Sequence, residues 1–243
     1  LCARTRPERL VIERTDRIRE LDVPVLVDPG EATTADWVLL ATKAQDVAGA
    51  AAWFDGLIGP DTTVVVLQNG VDHAERVAPL LPSGTTVLPA LVYVAAELLD
   101  RGHALHRRGA RLTVQGCPDT AGAESLTGFT AAFAATTGAV RPMAATPAAT
   151  AGTLPGERFA ALMAGSGLAV EQVADFRTAA WRKLLTNAAA NPITALTMQR
   201  MVVIQQDESV RELTRGLLRE AVRVGIAEGA ALSADDVAHT LRI

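Results

Sequence analysis

Two apolar runs, each closed by a polar cluster, limit what this chain can fold into. Trp37-Val38-Leu39-Leu40-Ala41 ends at Thr42-Lys43, and Thr62 to Leu67 (TTVVVL) ends at Gln68-Asn69-Gly70. A strand with one wet face alternates apolar and polar side chains, whereas a strand apolar throughout is buried on both faces. Helical spacing follows each run. Val47, Ala51, Phe54 and Leu57 mark one side of a helix over residues 45–57, and residues 71–80 read as the next helix. Val23 to Val27 adds an earlier strand and Thr85 to Val94 a later one. Strands alternating with helices predict an α/β fold with a parallel sheet covered on both faces. Lys43, Gln45, Gln68 and Asn69 cluster just after strand ends, where open α/β sheets bind ligands. The same residues serve equally well as ordinary loop formers.

The second half changes character. His103 to Gly116 reads as a hairpin with Leu105 and Leu112-Thr113-Val114, and residues 121–137 read as a helix. Residues 139–156 (AVRPMAATPAATAGTLPG) are the best linker in the chain. Beyond Glu157 strand signals nearly vanish. A short helix over Phe159 to Met163 precedes a longer one over Asp175 to Ala190, which ends in a turn at Asn191-Pro192. Residues 207–228 form a long helix with Val210, Leu213, Leu217, Ala221 and Val224 on one face. Ser233 caps a last helix, with Asp236 in the reciprocal position. The expected domains are therefore 1–156, sheet-rich and nucleotide-binding, and 157–243, helical. A two-domain binding protein has the same order.

Bulk chemistry narrows the function classes. The net charge of -4 gives no reason to expect a nucleic-acid or membrane-surface partner. Cys2 and Cys117 lie far apart, and His73, His103, His106 and His239 are scattered, so neither a disulfide framework nor a metal site is expected. No apolar run approaches the roughly 20 residues of a membrane span. A reduced, cytoplasmic setting is the expectation. Ser166 lies between Gly165 and Gly167, but a nucleophile elbow needs glycines two residues either side, where Ala164 and Leu168 stand, so it reads as part of a turn. Arg211, Arg215, Arg219 and Arg223 repeat every four residues, a solvated face that leaves a homodimer contact open.

The sharpest segment is residues 181–196, WRKLLTNAAANPITAL. On a helix Lys183 and Asn187 share a face about 6 Å apart along the axis, and Asn191 extends the stripe. A cation and two amides in a row suit a keto acid. The lysine donates a proton to an oxygen that gains charge, and each amide both donates and accepts. The same row also reads as a surface lysine with two helix-face amides.

The pattern W-x-K-L-x-x-N-x-x-x-N-P-x-T-A resembles the signature helix of the ketopantoate reductase family. That resemblance implies Lys183 as the catalytic acid and Asn187 and Asn191 as substrate-binding residues. Ala41-Thr42-Lys43-Ala44-Gln45 resembles the family's strand-end segment beside the cofactor, which makes Lys43 a cofactor contact. Leu67-Gln68-Asn69-Gly70 resembles its turn, in which the asparagine touches cofactor and substrate. Tyr93-Val94-Ala95-Ala96 resembles the later hairpin region and brings Ala95 near the cofactor. Leu1-Cys2-Ala3-Arg4 resembles the end of the second strand of a Rossmann-type domain, where Arg4 favours the 2'-phosphate of NADP. The implied enzyme is a Rossmann-type domain followed by a helical substrate domain. It reduces a 2-keto acid with NADPH, 2-dehydropantoate to pantoate first among candidates, in pantothenate biosynthesis.

No G-x-G-x-x-G occurs in these residues. The resemblance then implies a chain truncated at both ends, with an unpaired sheet edge, weak NADPH binding and low stability as expectations. Thr197 to Met201 departs from the family's usual stretch near the substrate, and residues 120–156 look longer than its usual connection. Two other functions stay open: a paralogue that reduces another 2-keto acid, and a degenerate protein that binds a nucleotide or partner without turnover.

Overall fold

The computed structural model describes residues 1–116 and 154–242. The expected helix over 121–137 and nearly all of the 139–156 linker lie outside the described residues. Leu10–Arg14 (β1) and Arg17–Leu21 (β2) form an antiparallel hairpin. Trp37–Leu40 (β3), Thr63–Val66 (β4), Thr86–Asp100 (β5), His103–Gln115 (β6) and Ala169–Val173 (β7) complete a seven-stranded sheet. Its order is β2-β1-β6-β5-β4-β3, with β7 also on β6. The α/β class expected from the sequence holds, but the sheet is mixed. Only β3, β4 and β5 form the expected parallel run, and β5 turns back antiparallel into β6. The other edge of β6 takes β1 at His103–Leu105 and β7 at Arg111–Gln115, both parallel.

The β4 run is buried on both faces, as its composition requires, whereas β3, last in the sheet, buries Val38 and Leu40 and leaves Leu39 exposed. In β4, Val64 and Val66 pack with Val38 and Leu40 against Val47 of Val47–Ala50 (α1), Phe54 of Phe54–Leu57 (α2) and Val77 of His73–Val77 (α3). Val65 faces the other way, toward Leu88, Leu112, Val114 and the fully buried Phe159 of Pro155–Met163 (α4). Burial of a side chain of that size contributes about 1.5–3 kcal/mol. The single helix expected over 45–57 is a series of short α and 3-10 turns, in a stretch whose Gly49 is a poor helix former. The strand expected over 23–27 reduces to one parallel bridge, Cys2 to Leu26. Pro24 lacks the N–H that would extend it.

The sheet layer continues past residue 156, since α4 lies on it and β7 joins it. The purely helical part begins with Phe176–Thr197 (α5), followed by Val203–Gln206 (α6), Glu208–Ala227 (α7) and Ala234–Thr240 (α8). The turn expected at Asn191-Pro192 does not form; α5 runs through Pro192 to a left-handed Met198. Ala189, Ala190 and Ile193 are buried on either side of the proline, and that packing holds the helix together where local propensity would end it. The buried face of α7 is Thr214, Leu218, Val222 and Gly225, while Leu213 and Val224 of the expected face are exposed. Close packing explains the offset: a Cβ on Gly225 would lie 3.0 Å from the Trp181 ring and 2.5 Å from Leu232. Asp207 caps α7, and Ser233 with Asp236 caps α8 as expected.

Candidate active site

Two features of α5 decide where its polar stripe points. Asp175 caps its start by accepting from the Thr178 N–H at 3.0 Å, and the Thr178 side chain together with that N–H lowers the pKa of the Asp175 carboxyl. Trp181, Leu185, Ala189 and Ile193 sink into the helical core. Lys183 and Asn187 are left half-buried beside that core, and Asn191 is exposed one turn on. Asn187 and Asn191 make no side-chain hydrogen bond among the described residues, so their amides are free to bind.

Asn69 approaches from the sheet. The chain leaves β4 through Gln68, whose buried side chain donates to Thr42 Oγ1 at 2.9 Å and more weakly to the Lys43 carbonyl at 3.4 Å. The turns after β3 and β4 are thereby tied together. Gly70 has φ 134°, and a Cβ there would stand 2.9 Å from Asp72 Oδ1, so glycine is required for the turn. Arg76, paired with Asp72 at 3.3 Å, donates a long bond of 3.4 Å to the Asn69 carbonyl.

The sheet turn and the helix meet at one contact. Lys183 Nζ donates to Asn69 Oδ1 at 2.7 Å. It also stands 5.5 Å from the centroid of the Tyr93 ring, within reach of a cation–π attraction. Burial pulls the Lys183 pKa below the usual lysine value. On its other contacts Tyr93 carries the Arg111 guanidinium 4.1 Å from its centroid, and Arg111 pairs with Glu171 of β7 at 2.7 Å. Burial pushes the Tyr93 hydroxyl up. An ammonium held at a strand end, with its acidity increased by burial and amides along the same helix, can protonate an oxygen that gains charge and hold a carboxylate beside it.

The other residues singled out from the sequence lie around this contact rather than in it. Lys43 is exposed after β3, Ala95 is exposed at a register shift between β5 and β6, and Arg4 is exposed two residues after the Cys2 bridge. Arg4 and Lys43 make no ion pair among the described residues. Tyr93, Arg111 and His73 are neighbours that pattern reading did not assign a role. Tyr93 lies in the segment that resembles the family's hairpin region, but nothing in its spacing points at Lys183. The four-arginine row on α7 lines an open groove of about 800 Å³ with Arg242, and none of the candidate site residues lines it. Among the described residues no His, Cys, Asp and Glu side chains cluster as a metal site would require, and no helix is long and apolar enough to cross a membrane.

Comparison with known proteins bears on both halves of this site. Residues 2–119 match the family described as ketopantoate reductase PanE/ApbA, and residues 175–243 match its C-terminal domain. The 2-dehydropantoate 2-reductase of Caulobacter vibrioides is 33% identical over 237 residues, covering 97% of this chain and 68% of that protein. The 2-dehydropantoate 2-reductase of Mycobacterium tuberculosis is 35% identical over 221 residues, covering 90% of this chain and 62% of that one. Among solved structures, a PanE/ApbA family ketopantoate reductase from Ralstonia eutropha superposes with a TM-score of 0.73 at 29% identity. That superposition covers 96% of this chain and 65% of the other. This chain therefore spans roughly two thirds of the length of these relatives.

Proposed function

The chain belongs to the ketopantoate reductase family, and from that premise we propose that it reduces a 2-keto acid to a 2-hydroxy acid with NADPH, converting 2-dehydropantoate to pantoate. The observation that carries this reading is the 2.7 Å contact between Lys183 Nζ and Asn69 Oδ1. It joins the turn after a parallel strand, where an α/β sheet receives its ligand, to the helix that bears the acid.

The chain's own residues divide the work. Lys183 donates a hydrogen bond to the substrate's keto oxygen and then a proton, as that oxygen becomes an alkoxide. Its lowered pKa brings the ammonium closer to the operating pH, where a general acid transfers its proton more readily. Asn69 holds the ammonium through Oδ1 and keeps its own amide N–H groups available for cofactor and substrate. Asn187 and Asn191 donate to the substrate's carboxylate and hydroxyl from the same stripe. NADPH fits the cations present. Arg4 and Lys43 are exposed and make no ion pair among the described residues, and a guanidinium suits the bidentate recognition of a 2'-phosphate. Ala95 offers backbone without side-chain bulk. When bound, the cofactor supplies the hydride. The compartment that goes with this chemistry is the cytoplasm.

The test is NADPH oxidation with 2-dehydropantoate and a panel of other 2-keto acids, beside Lys183→Ala. Oxidation that is fastest with 2-dehydropantoate and lost in the variant supports the reading. Faster turnover of another 2-keto acid replaces the substrate and keeps the mechanism. A folded protein that binds NADPH and oxidises it with none of them overturns the enzyme reading in favour of a binding role.

A further inference from the structure

His73 is the first residue of α3 and is 2% exposed, yet it belongs to no ion pair among the described residues. Its Nε2 lies 2.9 Å from the carbonyl oxygen of Gln68, the residue immediately before Asn69. Its ring meets Phe176 edge-on, with centroids 5.7 Å apart and an interplanar angle of 72°. Phe176 is the first residue of α5, the helix that carries Lys183. One buried side chain therefore touches both elements that meet at the Lys183–Asn69 contact, from the side away from solvent.

We infer that His73 is a positioning residue that holds the Asn69 turn in register with the Lys183 helix. This rests on the reductase reading for its catalytic consequence, but its geometry stands apart from it. Asn69 is itself exposed, and its side chain is held by Lys183 alone among the described residues. Its own backbone takes, among the same residues, only the long 3.4 Å bond from Arg76, and the shorter anchors are on Gln68, held by its side chain to the turn after β3 and by its carbonyl to His73. The imidazole donates through Nε2–H, because the carbonyl can only accept. Nδ1 is buried without a hydrogen-bond partner among the described residues. A proton there would leave a charged N–H unpaired in the interior, close to the cations of Arg76 and Lys183. The neutral form is therefore the working form. Loss of the donor frees the Gln68 carbonyl and lets the Asn69 turn shift relative to α5. A displacement on the order of 1 Å at a reacting group costs up to about a hundredfold in rate.

Two substitutions separate positioning from packing. His73→Leu keeps an apolar side chain against Phe176 and removes the donor. His73→Gln places an amide N–H close to where the imidazole Nε2–H stood. Each full-chain variant is assayed for kcat and KM with NADPH and 2-dehydropantoate. Each is also examined by NMR for the side-chain amide resonance of Asn69, with Lys183→Ala as the control that must move it. The expected result is a kcat lowered about ten- to a hundredfold in His73→Leu, a larger factor than any rise in KM for NADPH, with the Asn69 resonance displaced. His73→Gln recovers both. A folded His73→Leu with kcat and the Asn69 resonance both unchanged overturns the inference, as does a His73→Gln no better than His73→Leu. If His73→Leu does not fold, His73→Asn, whose amide is too short to reach the carbonyl, takes its place with the same two outcomes. If the unaltered protein oxidises NADPH with no 2-keto acid, the reductase reading fails by itself. The Asn69 resonance then still decides on His73.

Discussion

Lys183 Nζ stands 5.5 Å from the centroid of the Tyr93 ring, so the group that would deliver the proton faces an aromatic surface as well as an amide oxygen. The two neighbours act on it in the same sense, because both the ring and Asn69 Oδ1 favour the ammonium, while burial opposes it. Tyr93→Leu keeps the burial and removes the ring. The Lys183 pKa should then fall further, and the alkaline limb of the kcat–pH profile should move to lower pH. A cation–π attraction of about 0.5–1 kcal/mol corresponds to a shift of up to about 0.7 pH units. Tyr93→Phe retains the ring and should leave the limb in place. Equal shifts in the two variants would mean that the hydroxyl, not the ring, acts on the lysine.

The same burial makes Lys183 a cost to the fold. Lys183→Met keeps a long apolar stem without the charge, and the exposed Asn69 regains its lost donor from water. Its melting temperature should equal or exceed that of the unaltered chain, while turnover falls by about 10²–10⁴-fold, the usual contribution of a general acid. NADPH binding, followed by quenching of its fluorescence, should be unaffected. A variant that is both destabilised and unable to bind NADPH would make Lys183 a structural residue.

What could be read in advance follows from what holds each element. β4 was legible because both its faces are buried and its valines run consecutively, and β3 because Val38 and Leu40 bury one face while Trp37 and Leu39 are apolar as well. β1, β2 and β7 were not, because they are held by ladder bonds along the long β6 and the hairpin, and their side chains are mostly polar or exposed. The apolar face of α7 came out one position off because small residues, Thr214 and Gly225, define the buried side, and periodicity counts only large ones. Within the site, Lys183, Asn187 and Asn191 could be placed on one helix by spacing, and Asn69 at a strand end by its turn. The contact between Lys183 and Asn69 joins residues 114 apart and is a product of tertiary packing. His73 left no signal, since a buried histidine that donates to a backbone carbonyl has the same local sequence as an exposed one.

Gly225 tests the packing that orients α5. Alanine at this position should gain about 1 kcal/mol of helix propensity. However, its Cβ would lie 3.0 Å from two atoms of the Trp181 ring, two residues from Lys183, as well as 2.5 Å from Leu232 Cδ1. Leu232 can turn away; the ring, 7% exposed in the core, cannot move without shifting α5. Gly225→Ala should therefore be destabilised by about 1–3 kcal/mol in urea unfolding and should lower kcat more than Gly216→Ala, where a Cβ meets nothing. Equal stability of the two variants would show that the helices separate at no cost.

His73 makes the fold sensitive to acid in a defined window. Burial, the largest influence, lowers its pKa below the usual 6.5, with Arg76 and Lys183 acting in the same direction and the Gln68 carbonyl and Asp72 opposing them. Below pH 6.5 the unfolded chain binds a proton that the folded chain does not. The stability that the neutral ring contributes is therefore complete above that pH and is lost as pH falls toward the lowered folded pKa. His73→Gln has no proton to bind in either state. Its urea midpoint should drop less than that of the unaltered chain between about pH 7.5 and about pH 5, with the two curves converging at the acid end. Parallel losses across that interval would show that the buried ring accepts its second proton as readily as an exposed one, and that its lack of a partner at Nδ1 carries no energetic weight.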